Sequence, residues 1–394
     1  MQHFLKRAWA EIHLDRLERN LLKCKSYLKP STQLMKPSTQ LMAVVKANAY
    51  GHGDNAIAPF LEKLGVLWFA VSNINEAKHL RNLGIKGEIL ILGYVPPEDI
   101  DVISENNIIL TITSLEHAAS LSKASKDKKI RAHIKIDTGM GRIGLKHNTI
   151  DEYVNEISEI TGLENISVEG IFTHLSVADC DDDENVLYTK NQIDTITEIY
   201  DALKARNITL EHIHFLNSAG ATYYKDERST LARFGIMLYG LYPNHQLELP
   251  EALEPVMELK TIVSHVKELS AGESISYGRT FVTQKPMKVA SLTIGYADGY
   301  SRLLSSKAEV LIRGKRAKVV GRVCMDQLMI DVTDIDVSVG DIATLFGIDG
   351  EDMITPDDLA DIYGTIGYEI VCGISKRVPR VILRNNDIIE VLDQ

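Results

Sequence analysis

From residue 40 to about 236, short apolar runs alternate with longer segments in which apolar residues recur every three or four positions. Eight runs rich in Val, Ile and Phe read as buried strands: 41–47, 68–72, 88–93, 108–113, 131–137, 168–174, 212–217 and 230–235. Helical patterns lie between them, such as 73–83, where Ile74, Ala77, Leu80 and Leu83 share one face, and 183–206. Strict alternation implies a parallel sheet, because each parallel crossover needs its helix. Eight such units predict a (β/α)₈ TIM-type barrel of the α/β class over residues 1–245.

After about 245 the pattern changes. Residues 259–269, 288–294, 309–316, 318–323, 329–332 and 342–346 read as strands, and only 355–363 is clearly helical, with Thr355-Pro356-Asp357-Asp358 as a capped start. Residues 246–394 therefore form a second, mainly β domain. The strand-like stretch 9–13 precedes the barrel's first helix, 15–28, so residues 1–13 are candidates to add a strand to that second domain. One repeat stands apart: Lys29-Pro30-Ser31-Thr32-Gln33-Leu34-Met35 is followed at once by the same seven residues, 36–42. Its two prolines forbid a continuous helix, so the first copy is expected to bulge ahead of the first strand while Leu41 and Met42 enter it. That end of a barrel serves stability, and a near-neutral effect on function is expected.

Composition narrows the class. The chain has 394 residues with 45% hydrophobic and 25% charged, and 43 basic against 54 acidic side chains give a formal charge of −11. No basic patch stands out, which argues against nucleic acid or an anionic membrane as the partner. Cys24, Cys180, Cys324 and Cys372 are scattered with no C-x-x-C pair, so neither a zinc site nor a disulfide framework is indicated. With no apolar signal segment and no run approaching a membrane span, the cytoplasm is the expected location.

Barrel active sites are built at the C-terminal tips of the strands. Here those tips carry Lys46, then Lys135 and Asp137 leading to Arg142, then His174, Asn217-Ser218 and Arg233-Phe234-Gly235-Ile236. Each has a plain structural reading: a snorkelling lysine, a core histidine, arginines paired with carboxylates, a serine capping a helix. Together at one mouth they suit an anionic, phosphate-bearing cofactor with a lysine nucleophile. Gly139-Met140-Gly141-Arg142-Ile143-Gly144 matches the dinucleotide pattern G-x-G-x-x-G, but Leu145 to Asn148 intervene before the next helical pattern.

Over essentially its whole length the chain resembles the alanine racemases that depend on pyridoxal 5′-phosphate (PLP). The resemblance rests on Ala43-Val44-Val45-Lys46-Ala47-Asn48-Ala49-Tyr50-Gly51-His52-Gly53, on Lys135 to Arg142, Thr173-His174, Asn217-Ser218-Ala219, Arg233 to Ile236 and Ser276-Tyr277-Gly278. It extends through Ile294 to Gly299, Val323-Cys324-Met325-Asp326 and Ile366-Gly367-Tyr368-Glu369. The duplication is the one obvious departure and lies outside every motif.

The resemblance implies the following roles. Lys46 carries the cofactor and acts as the base on one face of the substrate Cα. Tyr277, from the partner subunit of a homodimer, is the base on the other face, its anion favoured by His174 and Arg233. Arg233 faces the pyridine nitrogen and, holding its own proton tightly, disfavours full delocalisation of a carbanion into the ring. The phosphate is held by Tyr50, Ser218, Tyr368 and the backbone at Gly235 and Ile236. Arg142 and the backbone near Met325 bind the substrate carboxylate. Lys135 matches a lysine that is carbamylated in many members and then orients Arg142. Tyr296 is an entrance residue, and Asp326 supports the site from the partner. The implied reaction interconverts L- and D-alanine and supplies D-alanine for peptidoglycan. A serine or lysine racemase, an amino-acid decarboxylase and a nicotinamide oxidoreductase stand as alternatives; Tyr277 favours racemisation over decarboxylation.

Overall fold

The computed structural model describes residues 7–28, 39–244, 249 and 251–393. The first copy of the heptapeptide lies outside them, as does the domain boundary at 245, while Leu41 and Met42 do sit in the first barrel strand.

Strand β1 (Ala8–His13) leads directly into the helix Leu14–Tyr27. Eight parallel strands follow: β2 (Gln40–Val44), β3 (Trp68–Val71), β4 (Glu88–Ile91), β5 (Leu110–Ile112), β6 (Ile130–Lys135), β7 (Ile166–Phe172), β8 (His212–His214) and β9 (Leu231–Phe234). They form two ladders, β4-β3-β2-β9 and β5-β6-β7-β8. Two seams close the ring: a parallel bridge between Leu90 and Ile109 joins β4 to β5, and the Thr230 and Arg233 N–H groups donate to the Ile213 and Leu216 carbonyls to join β8 to β9. Strands with helices outside and side chains inside are buried on both faces, which is why they read as unbroken apolar runs. Alternate residues divide the work: Leu41 and Ala43 pack outward against helices, while Met42 and Val44 join Trp68, Ala70, Leu90 and Leu231 inside the barrel. Helices begin where the sequence supplies caps; Asn73 accepts from the Glu76 N–H, and Thr149 with Glu152 forms a capping box for Ile150–Thr161.

The second domain is a branched sheet of β10 (Met257–Leu269), β13 (Met287–Leu292), β14 (Glu309–Ile312), β15 (Lys315–Lys318), β16 (Leu328–Asp331), β17 (Ile342–Asp349), β18 (Asp352–Ile354), β19 (Arg380–Arg384) and β20 (Asp387–Leu392). The short pair β11 (Ser274–Ile275) and β12 (Phe281–Val282) stands beside it. Strand β1 lies inside this sheet, antiparallel to β10 and parallel to β19. The stretch read as one strand over 309–316 is a hairpin that turns at Arg313-Gly314, both with positive φ, and 319–323 makes only a bridge at Val319. The helix Gly367–Cys372 and strands β11, β12, β18, β19 and β20 were not legible, being short or lacking a clear alternation.

Candidate active site

A cavity of about 930 Å³ opens at the C-terminal end of the barrel. Lys46, Tyr50, Lys135, Arg142, His174, Ser218, Arg233, Gly235, Ile236 and Tyr368 all line it. The first nine come from the barrel; Tyr368 is brought over the rim by the helix Gly367–Cys372 of the second domain. The barrel interior explains why the polar groups are one-sided. Strands β2 to β4 fill it with apolar side chains, whereas β6, β8 and β9 contribute His133, Lys135, His214 and Arg233.

Lys46 lies just past the end of β2, at the start of a turn. Ala47, Asn48, Ala49 and Tyr50 are all left-handed, with φ between 52° and 55°, before Gly51 at 80°. That conformation costs an L-residue about 1–2 kcal/mol, so four in succession must be held by their surroundings. Gly51 is obligatory here: a Cβ on it would meet the Val371 carbonyl oxygen at 2.3 Å. Burial first, and the Arg142 guanidinium second, hold the Lys46 ammonium below its ordinary range. Lys135 is 2% exposed and donates to the Ile136 carbonyl (2.6 Å). Burial, then Arg233, press it down to about 7.

Arg233 is the fixed point at the base of the cavity. Its Nη1 donates to His214 Nδ1 (2.7 Å) and to the His214 carbonyl (3.1 Å). Its Nη2 donates to the Thr173 carbonyl (2.7 Å) and lies 3.5 Å from His174 Nδ1. Burial and the nearby Arg142 lower Arg233 to about 9. An arginine only donates, so His214 Nδ1 must accept and its proton sits on Nε2, 2.9 Å from His133 Nδ1. His133 is then protonated on Nε2, a buried atom with no hydrogen-bond partner. His214 and His133 were missed by sequence reading. The inward-facing pair His212 and His214, two residues apart on one strand, was the available signal.

The anion cradle forms beside Lys46. Asn217, not Ser218, caps the helix Ser218–Tyr223 by accepting from the Gly220 N–H (2.8 Å), which leaves the Ser218 hydroxyl facing the Gly235 N–H (3.2 Å). A Cβ at Gly235 would sit 2.6 Å from the Tyr50 hydroxyl, so the absent side chain keeps that corner open. The Tyr50 and Tyr368 rings are 6.3 Å apart. A hydroxyl pair, a serine and backbone N–H groups next to a desolvated lysine fit PLP at both its phosphate and its aldehyde end. The glycine-rich loop binds no helix: Asp137 accepts from the Gly139 and Gly141 N–H groups (both 3.0 Å), and the next helix starts only at Ile150. The loop displays Arg142 at the mouth.

Tyr277, Met325 and Asp326 are not in this cavity. They line a separate hollow of about 550 Å³ on the second domain. Tyr277 is 70% exposed, on a turn pinned by the Ser276 hydroxyl donating to the Arg322 carbonyl (2.7 Å). Asp326 accepts from Arg377 (2.7 Å), and the Tyr296 N–H donates to the Cys324 carbonyl (3.0 Å), so the Tyr296 backbone adjoins the segment that carries Met325 and Asp326. Within one chain His174 and Arg233 therefore do not share a cavity with Tyr277.

Residues 12–243 match the family model described as alanine racemase, N-terminal domain, and residues 256–382 that of the C-terminal domain. An alanine racemase of Clostridium novyi (strain NT) is 41% identical over 392 residues, 98% of each chain. Among solved structures, alanine racemase from Clostridium difficile 630 superposes with a TM-score of 0.90 at 39% identity, covering 99% of both chains. The alanine racemase from Bacillus anthracis with bound L-Ala-P gives 0.91 at 35% identity, covering 99% of this chain and 98% of the other.

Proposed function

The chain belongs to the alanine racemase family, and on that premise we propose that it interconverts L- and D-alanine with PLP by a two-base mechanism whose second base comes from another copy of the chain. The observation that carries this reading is the convergence of Lys46, Arg233 and the Ser218–Gly235 cradle on one cavity. When bound, PLP supplies an electron-accepting ring that acidifies the substrate Cα–H. Lys46 would hold the cofactor and move a proton at Nζ; burial and Arg142 lower its pKa and leave the amine ready to accept one. Tyr50, Ser218, Tyr368 and the Gly235 and Ile236 backbone hold the phosphate. Arg233 would face the ring nitrogen with its Nε–H, since its Nη donors are fixed on His214 Nδ1 and on the His214, Thr173 and Phe215 carbonyls. His174 lies beside it, kept neutral by burial and the cations around it. Arg142 orients the substrate carboxylate, with the Met325 backbone of the second copy completing its seat. Lys135, pressed down to about 7 by burial and its cationic neighbours, would offer a neutral amine to carbon dioxide and release one N–H proton to solvent; the resulting carbamate would hold Arg142.

A proton removed from one face of Cα must be replaced from the other, and the Tyr277 face of the second domain is the surface that would supply it. A C2 pair closes both sites at once. Asp326 and Tyr296 would border the entrance. Work in the cytoplasm, supplying D-alanine to peptidoglycan, is the role proposed for it; no helix among the described residues is long and apolar enough to cross a membrane.

The direct test is circular dichroism of L-alanine incubated with the purified protein and PLP. The signal should decay to zero, and a constant signal would sink the proposal. Tyr277→Phe should slow Cα proton exchange from one enantiomer by about 10²-fold or more, and leave abstraction from the other much less affected. Equal losses for both enantiomers would refute the assignment of faces.

A further inference from the structure

The left-handed turn after Lys46 ends, on each side, on a charged side chain that the two bases do not account for. At its start, Glu76 Oε1 accepts from the Ala47 N–H (3.0 Å) and Oε2 from the Ser72 N–H (2.7 Å). One carboxylate thus ties the first peptide after Lys46 to the end of the neighbouring strand β3. At its finish, Arg380 Nε donates to the Gly51 carbonyl (2.9 Å). Arg380 belongs to β19 of the second domain and is 1% exposed. Its Nη1 donates to the Ser375 and Val378 carbonyls and its Nη2 to the Ile374 carbonyl, all at 2.6–2.7 Å.

A buried guanidinium that makes four hydrogen bonds to carbonyls is costly unless the geometry it fixes matters. Right-handed helix is the default for Ala-Asn-Ala-Tyr, and in that form the first N–H and the last carbonyl would point elsewhere. We propose that Glu76 and Arg380 are positioning residues that brace the turn from its two ends, one from each domain, and so hold the Lys46 amine and the Tyr50 hydroxyl in working register. The barrel supplies the lysine, and docking of the second domain of the same chain fixes where it points. Glu76 accepts from backbone N–H groups and not from Lys46 Nζ, so beside the favourable effect of its charge on the Lys46 ammonium it acts through the backbone.

This rests on Lys46 and Tyr50 binding PLP as proposed above, and the experiment separates the two. PLP is titrated into the full-length parent, Glu76→Ala, Glu76→Gln and Arg380→Lys proteins, with binding followed by visible absorbance, and kcat and KM are measured for alanine. If the parent binds no PLP, the cofactor reading fails, and the bracing proposal with it. If the parent binds, Glu76→Ala and Arg380→Lys should weaken PLP at least about tenfold and lower kcat about 10²-fold with KM nearly unchanged, the signature of a misplaced base. Glu76→Gln keeps one acceptor of the two and should recover part of both losses. Parental PLP affinity and kcat in Arg380→Lys and Glu76→Gln overturn the proposal. So does a loss confined to thermal stability. Those two conservative variants retain charge or shape, so they decide the matter even where Glu76→Ala does not fold.

Discussion

Chains carrying Lys46→Ala or Tyr277→Ala will each lose turnover by about 10³-fold or more, and co-expressing the two will return about a quarter of the parental activity. The argument begins with one chain. Lys46 lines the barrel cavity, while Tyr277 stands 70% exposed on the second domain beside a different hollow. Tyr277 and the exposed Met325 line that hollow together, on the face proposed to meet the second copy. If each proposed site takes its lysine from one copy and its tyrosine from the other, a pair made of one Lys46→Ala chain and one Tyr277→Ala chain has one site with both defects and one with neither. Random pairing makes such mixed dimers about half the population, each with one working site of two, hence about one quarter. Separately tagged chains purified in tandem would enrich the mixed dimer and raise the yield to about half. A site built within one chain predicts no recovery in any mixture, so the measurement cleanly divides the two architectures.

How far the sequence reached can be judged from the same residues. The barrel was legible because its strands are buried on both faces, and Met42, Trp68, Leu90 and Leu231 appear in apolar runs whichever way they point. The polar mouth was legible because its members stand at or just past strand ends, and ten of the expected residues do line one cavity. The course of the chain at Lys46 was not. The strand ends at Val44, and nothing in Ala47-Asn48-Ala49-Tyr50 announces a left-handed turn, since the conformation is imposed by Glu76, His52 and Arg380 from positions up to 329 residues away. Arg233 was foreseen, but not the His214 and His133 behind it, because that pairing spans 81 residues and depends on barrel closure. Tyr277 is the opposite case. Its chemistry came from family resemblance alone, because a tyrosine on a surface turn carries no local sign of its partner.

The imidazole chain behind Arg233 leads to the second large effect: the protein should lose its stability steeply between pH 7 and about pH 4.5. His52 and His133 are each pushed down to about 3, first of all by burial, and His174 and His214 lie well below 6.5 for the same reason, reinforced by Arg233. In the unfolded chain all four take up a proton near pH 6.5. In the fold they stay neutral until their own lower pKa values. Throughout that window the unfolded state binds more protons, so stability rises with pH and falls as the solution is acidified. Each such histidine withdraws about 1.4 kcal/mol per pH unit. Two units below 6.5, His52 and His133 together remove about 5 kcal/mol, a large share of a typical domain's stability, and His174 and His214 act in the same direction. The fold cannot escape by protonating them in place. Arg233 already fills His214 Nδ1 with a donor, and an imidazolium there would face a guanidinium at 2.7 Å. Urea unfolding midpoints at pH 7, 6 and 5, with PLP saturating, should fall progressively. His133→Asn, whose side-chain oxygen can accept from His214 Nε2 as the ring nitrogen does, should flatten the slope by about one histidine's share. Midpoints that stay level from pH 7 to 5 would mean that the buried imidazoles find protons, and counter-charges, within the folded state.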